Sequence, residues 1–255
     1  MLGYLFYDKR DISRNEKFIE WLIEEALKYD LNLILHHTED NLETLETPEF
    51  IINRSRVAFI SHFYKDIKVF NNALVTEIAN DKYKTYHYFK DDIPMLKTCL
   101  VSERTTFPCI VKSKSGHGGT DVFWVTSKEE LTYSDEYIAQ DIAPQLGKDL
   151  RVYILDNKII QGILRTHETD FKSNYSLGGQ AKVYDLSEQE KALVYKILEK
   201  LPLVYGGIDF LFDEHNHLIL NEVEDAVGAR MLYNLTDIKI VDDYIACIAA
   251  KLKNY

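Results

Sequence analysis

Apolar residues recur along the chain in short runs that polar turns separate. In the first eighty residues two such runs, 2–7 and 31–36, predict β-strands. Between them the apolar positions follow helical spacing, and Ser13, with Glu16 three residues later, predicts where that helix begins. Further apolar runs and one more predicted helix follow at 50–52, 57–60 and 71–80. The order strand, helix, strand predicts a small α/β domain over residues 1–80.

Beyond residue 80 the pattern predicts mainly strands, several of them joined as hairpins. The predicted strands lie at 107–112, 121–126, 136–143, 149–155 and 158–165. A helix follows that Ser187 caps, with Glu190 at the capping-box position, and an amphipathic helix at 237–253 closes the chain. We expect two α+β lobes here, 81–143 and 144–255.

Between those two helices lies a predicted hairpin, 206–230, with the sequence GGIDFLFDEHNHLILNEVEDAVGAR. Asp209 on its first strand faces the second strand, where Glu222 and Glu224 are two apart and therefore share one side. Three carboxylates on one face repel each other unless a cation or an arginine neutralises them. All-oxygen sites suit Mg²⁺, which usually bridges a protein to substrate phosphates. An ordinary acidic surface explains the hairpin equally well, because the chain is acidic throughout.

The charge of the chain limits its partners. Its 255 residues carry 30 Lys and Arg against 41 Asp and Glu, a formal net charge of −11, which argues against nonspecific binding of nucleic acid or anionic lipid. The segment 81–90, DKYKTYHYFK, interleaves basic and aromatic residues as single-strand binders do. In so acidic a chain, an amphipathic helix packed on the core is the better interpretation.

Cysteine usage and hydropathy bear on the compartment. The three cysteines are widely spaced, which predicts neither a disulfide framework nor a zinc site and favours a reducing compartment. The amino-terminal apolar run is too short for a signal peptide, and no window reaches the length of a membrane span. We therefore expect a cytoplasmic protein with no membrane partner.

A glycine-rich loop, KSKSGHGGT at 112–120, lies between two predicted strands. Backbone N–H groups of such a loop, with lysines beside it, can hold phosphates, although the sequence is not that of a Walker loop. An ordinary hairpin turn would also contain glycines. The loop alone does not decide between these interpretations.

Taken in order, these parts resemble the ATP-grasp superfamily and, within it, the RimK-like carboxylate–amine ligases. The resemblance rests on FPCIVKSKSGHGG, AQDIAPQLGKDLRVYI, RTHETDFKSNYSLGG, GGIDFL and LNEVED, which span residues 107 to about 230. It implies an α/β ATP-grasp fold after a small amino-terminal domain. It also implies ATP and Mg²⁺ as cofactors, with Mn²⁺ as an alternative metal.

The resemblance further implies roles for individual residues. The implied catalytic residues are Lys112, Arg151 and Arg165, the two arginines lying near the reacting acyl phosphate. The implied ATP-binding residues are Lys82, Lys112, Gly116, Gly118, Gly119, Asp141, Ile142, Asp149, Lys172, Ser173 and Asn174. The implied metal ligands are Asp209, Glu222 and Glu224.

Several of these ATP-binding residues have distinct expected positions. The glycines at 116–119 match the flap over the phosphates. The backbone of Asp141 and Ile142 matches the hinge at the adenine edge. Asp149 matches an acidic residue near the ribose.

Two positions depart from the family pattern. Glu224 stands where the family usually has Asn, which adds a negative charge to the metal site. Lys172 stands where Arg is usual, which removes a bidentate fork. Both changes leave the chemistry of the site intact, while they leave the substrate open.

The function that the resemblance implies is an ATP-dependent carboxylate–amine ligase that forms an amide through an acyl phosphate. Its substrates would be a small-molecule carboxylate and an amine, an amino acid or short peptide, or the carboxyl terminus of a protein; a homo-oligomer is left open. Arg230 and either Arg54 or Arg56 could hold substrate carboxylates, and ordinary surface pairing explains them equally well. Two alternatives remain: a kinase of the same fold that phosphorylates a hydroxyl, and a nucleotide-binding module without turnover.

Overall fold

The computed structural model describes residues 1–116, 121–167 and 179–253. Its strands are β1 (Leu2–Tyr7), β2 (Asn32–His37), β3 (Phe50–Asn53), β4 (Lys68–Phe70), β5 (Thr98–Leu100), β6 (Cys109–Ser113), β7 (Val122–Val125), β8 (Tyr137–Gln140), β9 (Lys148–Leu155), β10 (Lys158–Thr166), β11 (Gln180–Tyr184), β12 (Tyr205–Phe212) and β13 (Leu218–Glu224). Its helices are α1 (Lys9–Leu27), α2 (Ala58–Phe63), α3 (Ala73–Ala79), α4 (Lys82–Phe89), α5 (Glu188–Lys200), α6 (Arg230–Leu235) and α7 (Ile240–Lys253). The described strands form three sheets, and each sheet lies within one of the predicted segments 1–80, 81–143 and 144–255.

The amino-terminal sheet is parallel, with the strand order β2-β1-β3-β4. Helix α1 connects β1 to β2, as a parallel pair requires. This helix begins at Lys9 and not near Ser13, because Asp8 directly follows β1 and its side chain accepts a hydrogen bond from the Arg10 N–H. The Ser13 and Glu16 pattern therefore lies inside the helix, and the predicted start was wrong by about one turn.

The other two sheets are antiparallel. The central sheet has the order β5-β8-β6-β7, and the carboxyl-terminal sheet has the order β11-β10-β9-β12-β13. Asp156 and Asn157, which join β9 to β10, have φ angles of 50° and 58°, as a type I′ hairpin turn requires. The predicted hairpin at 149–165 is thereby confirmed.

One hydrophobic core joins the amino-terminal sheet to the carboxyl-terminal sheet. It contains Leu5 from β1, Leu22 from α1, Tyr153 from β9, Tyr205 from β12 and Tyr244 from α7, all of them buried. The opposite face of β9 and β12 packs against α5 and α3 in a second cluster. The central sheet has a separate, smaller core. The amino-terminal domain and the carboxyl-terminal lobe therefore hold each other in place, whereas the central sheet packs around its own residues.

The segment 81–90 forms helix α4, with Asp81 as its N-cap and with Thr85 and Phe89 buried. Of the two interpretations of this segment, the structure therefore agrees with an amphipathic helix that packs on the core. Across the described residues, no helix combines the length and the apolar character that crossing a membrane requires.

The two serine patterns in the sequence allow a direct test of helix capping. Ser187 accepts a hydrogen bond from the Glu190 N–H, and Glu190 bonds back to the Ser187 backbone, so both bonds of a capping box form. We expect Ser187→Ala to lower the free energy of unfolding by about 1 kcal/mol. Ser13→Ala, inside α1, is the matched control and should not lower the free energy of unfolding; it should raise it by a few tenths of a kcal/mol, because Ala favours a helix interior more than Ser does. Equal losses in urea unfolding of the two variants would contradict the caps observed here.

Candidate active site

A cleft of about 130 Å³ lies between the central sheet and the carboxyl-terminal sheet. Strands β6, β7 and β8 line one side of it, and β9, β10, β12 and β13 line the other. One part of its wall is apolar and includes Leu96, Ile110, Val122 and Leu211, while its polar part contains Lys82, Lys112, Asp209 and Glu222. An apolar cleft with a few convergent charged groups is the usual form of a small-molecule site.

The three carboxylates predicted to bind a metal lie together on β12 and β13, and two of them, Asp209 and Glu222, line the polar end of this cleft. Asp209 pairs with Glu222 and Gly207 pairs with Glu224 in the strand register, and a bulge separates Asp209 from Phe210. Because the bulge places Asn221 as an extra residue, Glu222 and Glu224 face the same side as Asp209. One oxygen from each carboxylate lies within 4.8 Å of the others. The predicted acidic face is therefore confirmed.

Close strand packing also depends on Gly206. A Cβ atom at this position would lie 2.7 Å from the carbonyl oxygen of Glu224, which is part of the backbone. Since backbone cannot move aside as a flexible side chain can, a larger residue here would push β13 away from β12. Gly206 therefore allows the backbone of β13 at Glu224 to pack closely against β12, the strand that carries Asp209.

Two buried arginines neutralise the acidic face. Arg151 donates to both carboxylate oxygens of Asp209, at 2.7 and 2.6 Å, and to Glu224 at 2.7 Å. Arg165 donates to Asp209 at 2.8 Å and to Asp149 at 2.9 Å. Asp209 is 2% exposed, so these are charge-assisted bonds in a site that excludes most water.

The pKa directions follow from these contacts. Burial alone would raise the pKa of Asp209, but Arg151 and Arg165 outweigh burial and hold that pKa well below its ordinary value. Burial also raises the pKa of Glu222, but the positive charges of the neighbouring lysines, Lys82 above all, together lower it by more, so the pKa of Glu222 lies below its ordinary value. At Glu224 burial prevails over Arg151, and the pKa of Glu224 is raised. Of the three carboxylates, Glu224 is thus the one whose charge the protein compensates least.

Two lysines reach the same end of the cleft from the central part of the chain. The Lys112 ammonium donates to Asn221 Oδ1 at 2.9 Å, and the Lys82 ammonium pairs with Glu222 Oε2 at 3.0 Å and donates to the Gly116 carbonyl oxygen. Burial lowers the pKa of Lys112 to about 8, although Glu222 opposes the shift. Two lysines at one end of an enclosed cleft form a site for an anion such as a phosphate.

Asn221 was missed in the sequence, although it lines the cleft and holds Lys112. Its neighbours in LNEVED were read by strand alternation, which assigns residue 221 to the face opposite Glu222. Only the bulge brings its side chain to the cleft. The one sequence signal that could have indicated it is an asparagine directly after three apolar residues of the strand and directly before Glu222.

The residues predicted to meet the adenine edge and the ribose of ATP are also found at the cleft. Asp141 and Ala143 line it, with Ile142 between them in the chain. The Asp141 N–H donates to the Lys97 carbonyl oxygen at 2.9 Å, and its carboxylate accepts from Arg104 at 2.6 Å. Asp149 lines the cleft as well, and its carboxylate pairs with Arg165.

The remaining predicted ATP-binding residues fall partly outside the described chain. Gly116 lies at the edge of the cleft. Gly118, Gly119, Lys172, Ser173 and Asn174 lie outside the described residues, so their predicted roles stay predictions.

A second cavity, of about 630 Å³, lies between α1 and the segment that follows β13. Six arginines line it: Arg14, Arg54, Arg56, Arg151, Arg165 and Arg230. Glu224 lines this cavity, whereas Asp209 and Glu222 line the first. Arg165 lines both. The two cavities therefore share Arg165, one of the two arginines that bond to Asp209.

Comparison with known proteins identifies the family. The RimK-like ATP-grasp domain matches residues 75–248. The chain belongs to the RimK-like ATP-grasp family. It is accordingly an ATP-dependent carbon–nitrogen ligase with an α/β ATP-grasp fold, as the resemblance implied.

Individual relatives and solved structures are similar to this chain over different shares of their length. An uncharacterized protein of Mycoplasma genitalium is 34% identical over 267 residues, which cover 98% of this chain and 93% of that protein. A probable alpha-L-glutamate ligase of Histophilus somni is 28% identical over 156 residues, or 57% of this chain and 52% of that protein. Among solved structures, a D-alanine–D-alanine ligase of Bacillus anthracis in complex with ATP has a TM-score of 0.76 at 16% identity, covering 100% of this chain and 98% of that one.

The residues of this RimK-like site fit ATP and a divalent cation. Asp209, Glu222 and Glu224 supply only oxygen ligands, the donor set that Mg²⁺ prefers. The lysines at the same end of the cleft suit the phosphates, and the apolar wall formed by Leu96, Ile110 and Leu211 suits a base. Carboxylates beside phosphate-binding lysines are the arrangement in which Mg²⁺ usually bridges protein and nucleotide.

We expect Lys112→Ala to weaken ATP binding about ten- to a hundredfold. A buried lysine facing a phosphate makes a charge-assisted bond worth about 1.5–3 kcal/mol. Calorimetry of ATP binding to the variant measures this loss. Lys128→Ala, an exposed lysine of the same lobe, is the matched control. An unchanged ATP affinity in Lys112→Ala would remove Lys112 from the phosphate site.

The three carboxylates can be separated by their dependence on Mg²⁺. We expect Asp209→Asn and Glu222→Gln to lose nearly all Mg²⁺-dependent binding of ADP, because each loses a charged ligand. Glu224→Gln keeps one oxygen ligand and should bind ADP with a shifted Mg²⁺ requirement. The measurement is ADP affinity titrated against Mg²⁺, and Glu214→Gln, in the exposed turn of the same hairpin, is the control.

The binding titration also has an outcome that contradicts this role of Glu224. If Glu224→Gln matches the wild type at every Mg²⁺ concentration, the metal site consists of Asp209 and Glu222 alone.

Proposed function

We propose that this ligase activates a carboxylate as an acyl phosphate and joins it to an amine. A carboxylate oxygen attacks the γ-phosphorus of ATP and ADP leaves. The amine then attacks the acyl carbon, and the carbon–oxygen bond to phosphate breaks. The products are an amide, ADP and phosphate.

The observation that carries this proposal is the position of Arg165 between the two cavities. Arg165 donates a hydrogen bond to Asp209, which lines the nucleotide cleft together with Lys82 and Lys112, and Arg165 itself also lines the arginine-rich cavity. A substrate carboxylate in the second cavity would thus meet the γ-phosphate of a nucleotide in the first. This is the adjacency that in-line phosphoryl transfer requires.

The protein contributes mainly charge neutralisation and positioning. Lys82 and Lys112 would neutralise the triphosphate, and Mg²⁺ held by Asp209, Glu222 and Glu224 would supply further neutralisation of its β- and γ-oxygens. Arg165 would stabilise the charge on the acyl phosphate and on the tetrahedral intermediate. Because Asp149 and Asp209 hold its guanidinium in place, little reorganisation is needed during the reaction.

Arg54 supports an acid as the substrate of the second cavity. Its guanidinium donates to the Tyr7 hydroxyl at 2.8 Å and to the Val227 carbonyl oxygen at 2.9 Å. Among the described residues no carboxylate pairs with it, although it is only 3% exposed. The buried Asp225 acts on Arg54 electrostatically, but no carboxylate accepts a hydrogen bond from it among the described residues. A buried arginine beside a cavity that bonds only to neutral groups favours an anionic ligand there. Arg56, in contrast, already pairs with Asp11.

The named relatives support an amino acid as one of the two substrates. The Histophilus protein is a probable alpha-L-glutamate ligase, and the Bacillus structure is a D-alanine–D-alanine ligase. We therefore propose an amino acid or short peptide as the amine substrate. Cysteine usage favours a reaction in the cytoplasm.

Isotope transfer tests the acyl phosphate. An acid labelled with ¹⁸O in its carboxylate, found by screening amino acids and short peptides for ADP release, should yield phosphate that carries one labelled oxygen. The reason is that the bond to carbon breaks when the amine attacks. Mass spectrometry of the phosphate and the amide measures the transfer, and the same mixture without amine is the control.

Other products would contradict the proposal in different ways. A stable phosphorylated product would indicate a kinase. Release of AMP and pyrophosphate would indicate an acyl adenylate, and no label would then reach the phosphate.

A further inference from the structure

The arginine-rich cavity has an aromatic wall that the proposed ligation does not use. Phe18 and Trp21 lie three apart on α1, so both side chains face the same way, and Tyr233 approaches from α6. The rings of Trp21 and Tyr233 meet edge to face with their centroids 5.2 Å apart. Two helices that are distant in the sequence thus build one continuous aromatic surface.

Contacts on the protein side hold this wall in place. The Tyr233 hydroxyl accepts a hydrogen bond from the Val241 N–H at 3.2 Å, which fixes its ring. The Phe18 ring lies 4.9 Å from the guanidinium carbon of Arg54. Trp21 is 45% exposed and is one of the residues that line the cavity. A single exposed aromatic residue needs no explanation, but an ordered aromatic wall in a cavity indicates a ligand with an apolar group.

The arginines and the aromatic wall line the same cavity. Among the described residues Arg54 donates its hydrogen bonds to the Tyr7 hydroxyl and the Val227 carbonyl oxygen and to no carboxylate, and Arg165 lines both this cavity and the nucleotide cleft. A ligand that matches both features carries a carboxylate and an apolar side chain. The arginines complement the negative charge of such a ligand, and Arg165 links its cavity to the nucleotide cleft. Both observations favour the acid substrate as this ligand.

The size of the cavity favours more than a single amino acid. At about 630 Å³ it is several times larger than the nucleotide cleft, which measures about 130 Å³. A peptide of two or more residues can reach from Arg165 to a helix surface while it keeps its carboxylate at the reacting position.

We propose that the acid substrate of this ligase is a peptide with a free carboxyl terminus and an apolar side chain that packs on Trp21 and Tyr233. The inference rests on the proposed function, because it assigns the arginine-rich cavity to the acid. Trp21 is then a residue that determines specificity and takes no part in the chemistry.

Binding of defined dipeptides tests this inference without turnover. The probes are N-acetyl-Ala-Phe and N-acetyl-Phe-Ala, which place the apolar side chain in two registers, and the same dipeptides with Ser in place of Phe. Calorimetry with ADP and Mg²⁺ present gives their affinities. The variants are Trp21→Ala and, as the matched control, Tyr195→Ala, an exposed aromatic residue of α5 outside the cavity.

We expect at least one Phe dipeptide to bind about tenfold more tightly than its Ser counterpart. This preference should disappear in Trp21→Ala and remain in Tyr195→Ala. The carboxyl-terminal amide of the tighter dipeptide should bind more weakly than the acid. The chain has two tryptophans, so Trp124→Phe leaves Trp21 alone, and its emission should change when the Phe dipeptide binds.

The other outcomes overturn the inference. These are equal affinities for Phe and Ser dipeptides, a preference that survives in Trp21→Ala, and the absence of dipeptide binding. ADP binding, measured in the same samples, tells which proposal fails. If ADP binds normally, only the peptide inference is wrong; if the wild type does not bind ADP with Mg²⁺, the proposed function fails as well.

Discussion

The site depends on one buried carboxylate held between two arginines. Strand register sets this interaction: Asp209 on β12 pairs with Arg151 on β9, and Arg165 on β10 pairs with Asp149 on β9. Burying such charges is costly, and removing one partner from a buried pair typically destabilises a protein by about 3–5 kcal/mol. Asp209, Arg151 and Arg165 are therefore a unit, which fixes the boundary between the two cavities.

Much of this unit could be predicted from the sequence because its parts are local. Alternation along β13 predicts that Glu222 and Glu224 share a face, and the tight turn predicts that Asp209 lies opposite. Asn221 was missed because a bulge shifts its side chain, and alternation cannot locate a bulge. Capping patterns have a similar limit. Ser187 is the N-cap of α5, as its sequence pattern predicts, whereas the N-cap of α1 is Asp8 and not Ser13. The end of strand β1 decides where α1 begins, and the capping pattern alone does not locate that end.

The second cavity could not be predicted in this way, because it depends on packing between distant segments. Arg54 follows β3 and reaches the carbonyl oxygen of Val227, 173 residues away. Helix α1 lies against this region because its buried face and that of α7 belong to one hydrophobic core. The sequence shows that Phe18 and Leu22 are apolar on one helix, but it does not show which other element they meet. Sequence position therefore suggested Arg54 and Arg230 only as candidates, without the cavity between them.

The charge of the whole chain and the charge of this cavity have opposite signs. A formal net charge of −11 repels an anionic peptide at long range, while six arginines line the cavity itself. At physiological ionic strength the Debye length is about 8 Å, so salt screens the outer repulsion before the substrate reaches the cavity. Interactions inside are screened much less, because Arg54, Arg151 and Arg165 are buried. The acidic surface thus sets how often anions approach, whereas the buried arginines and the aromatic wall determine which of them bind.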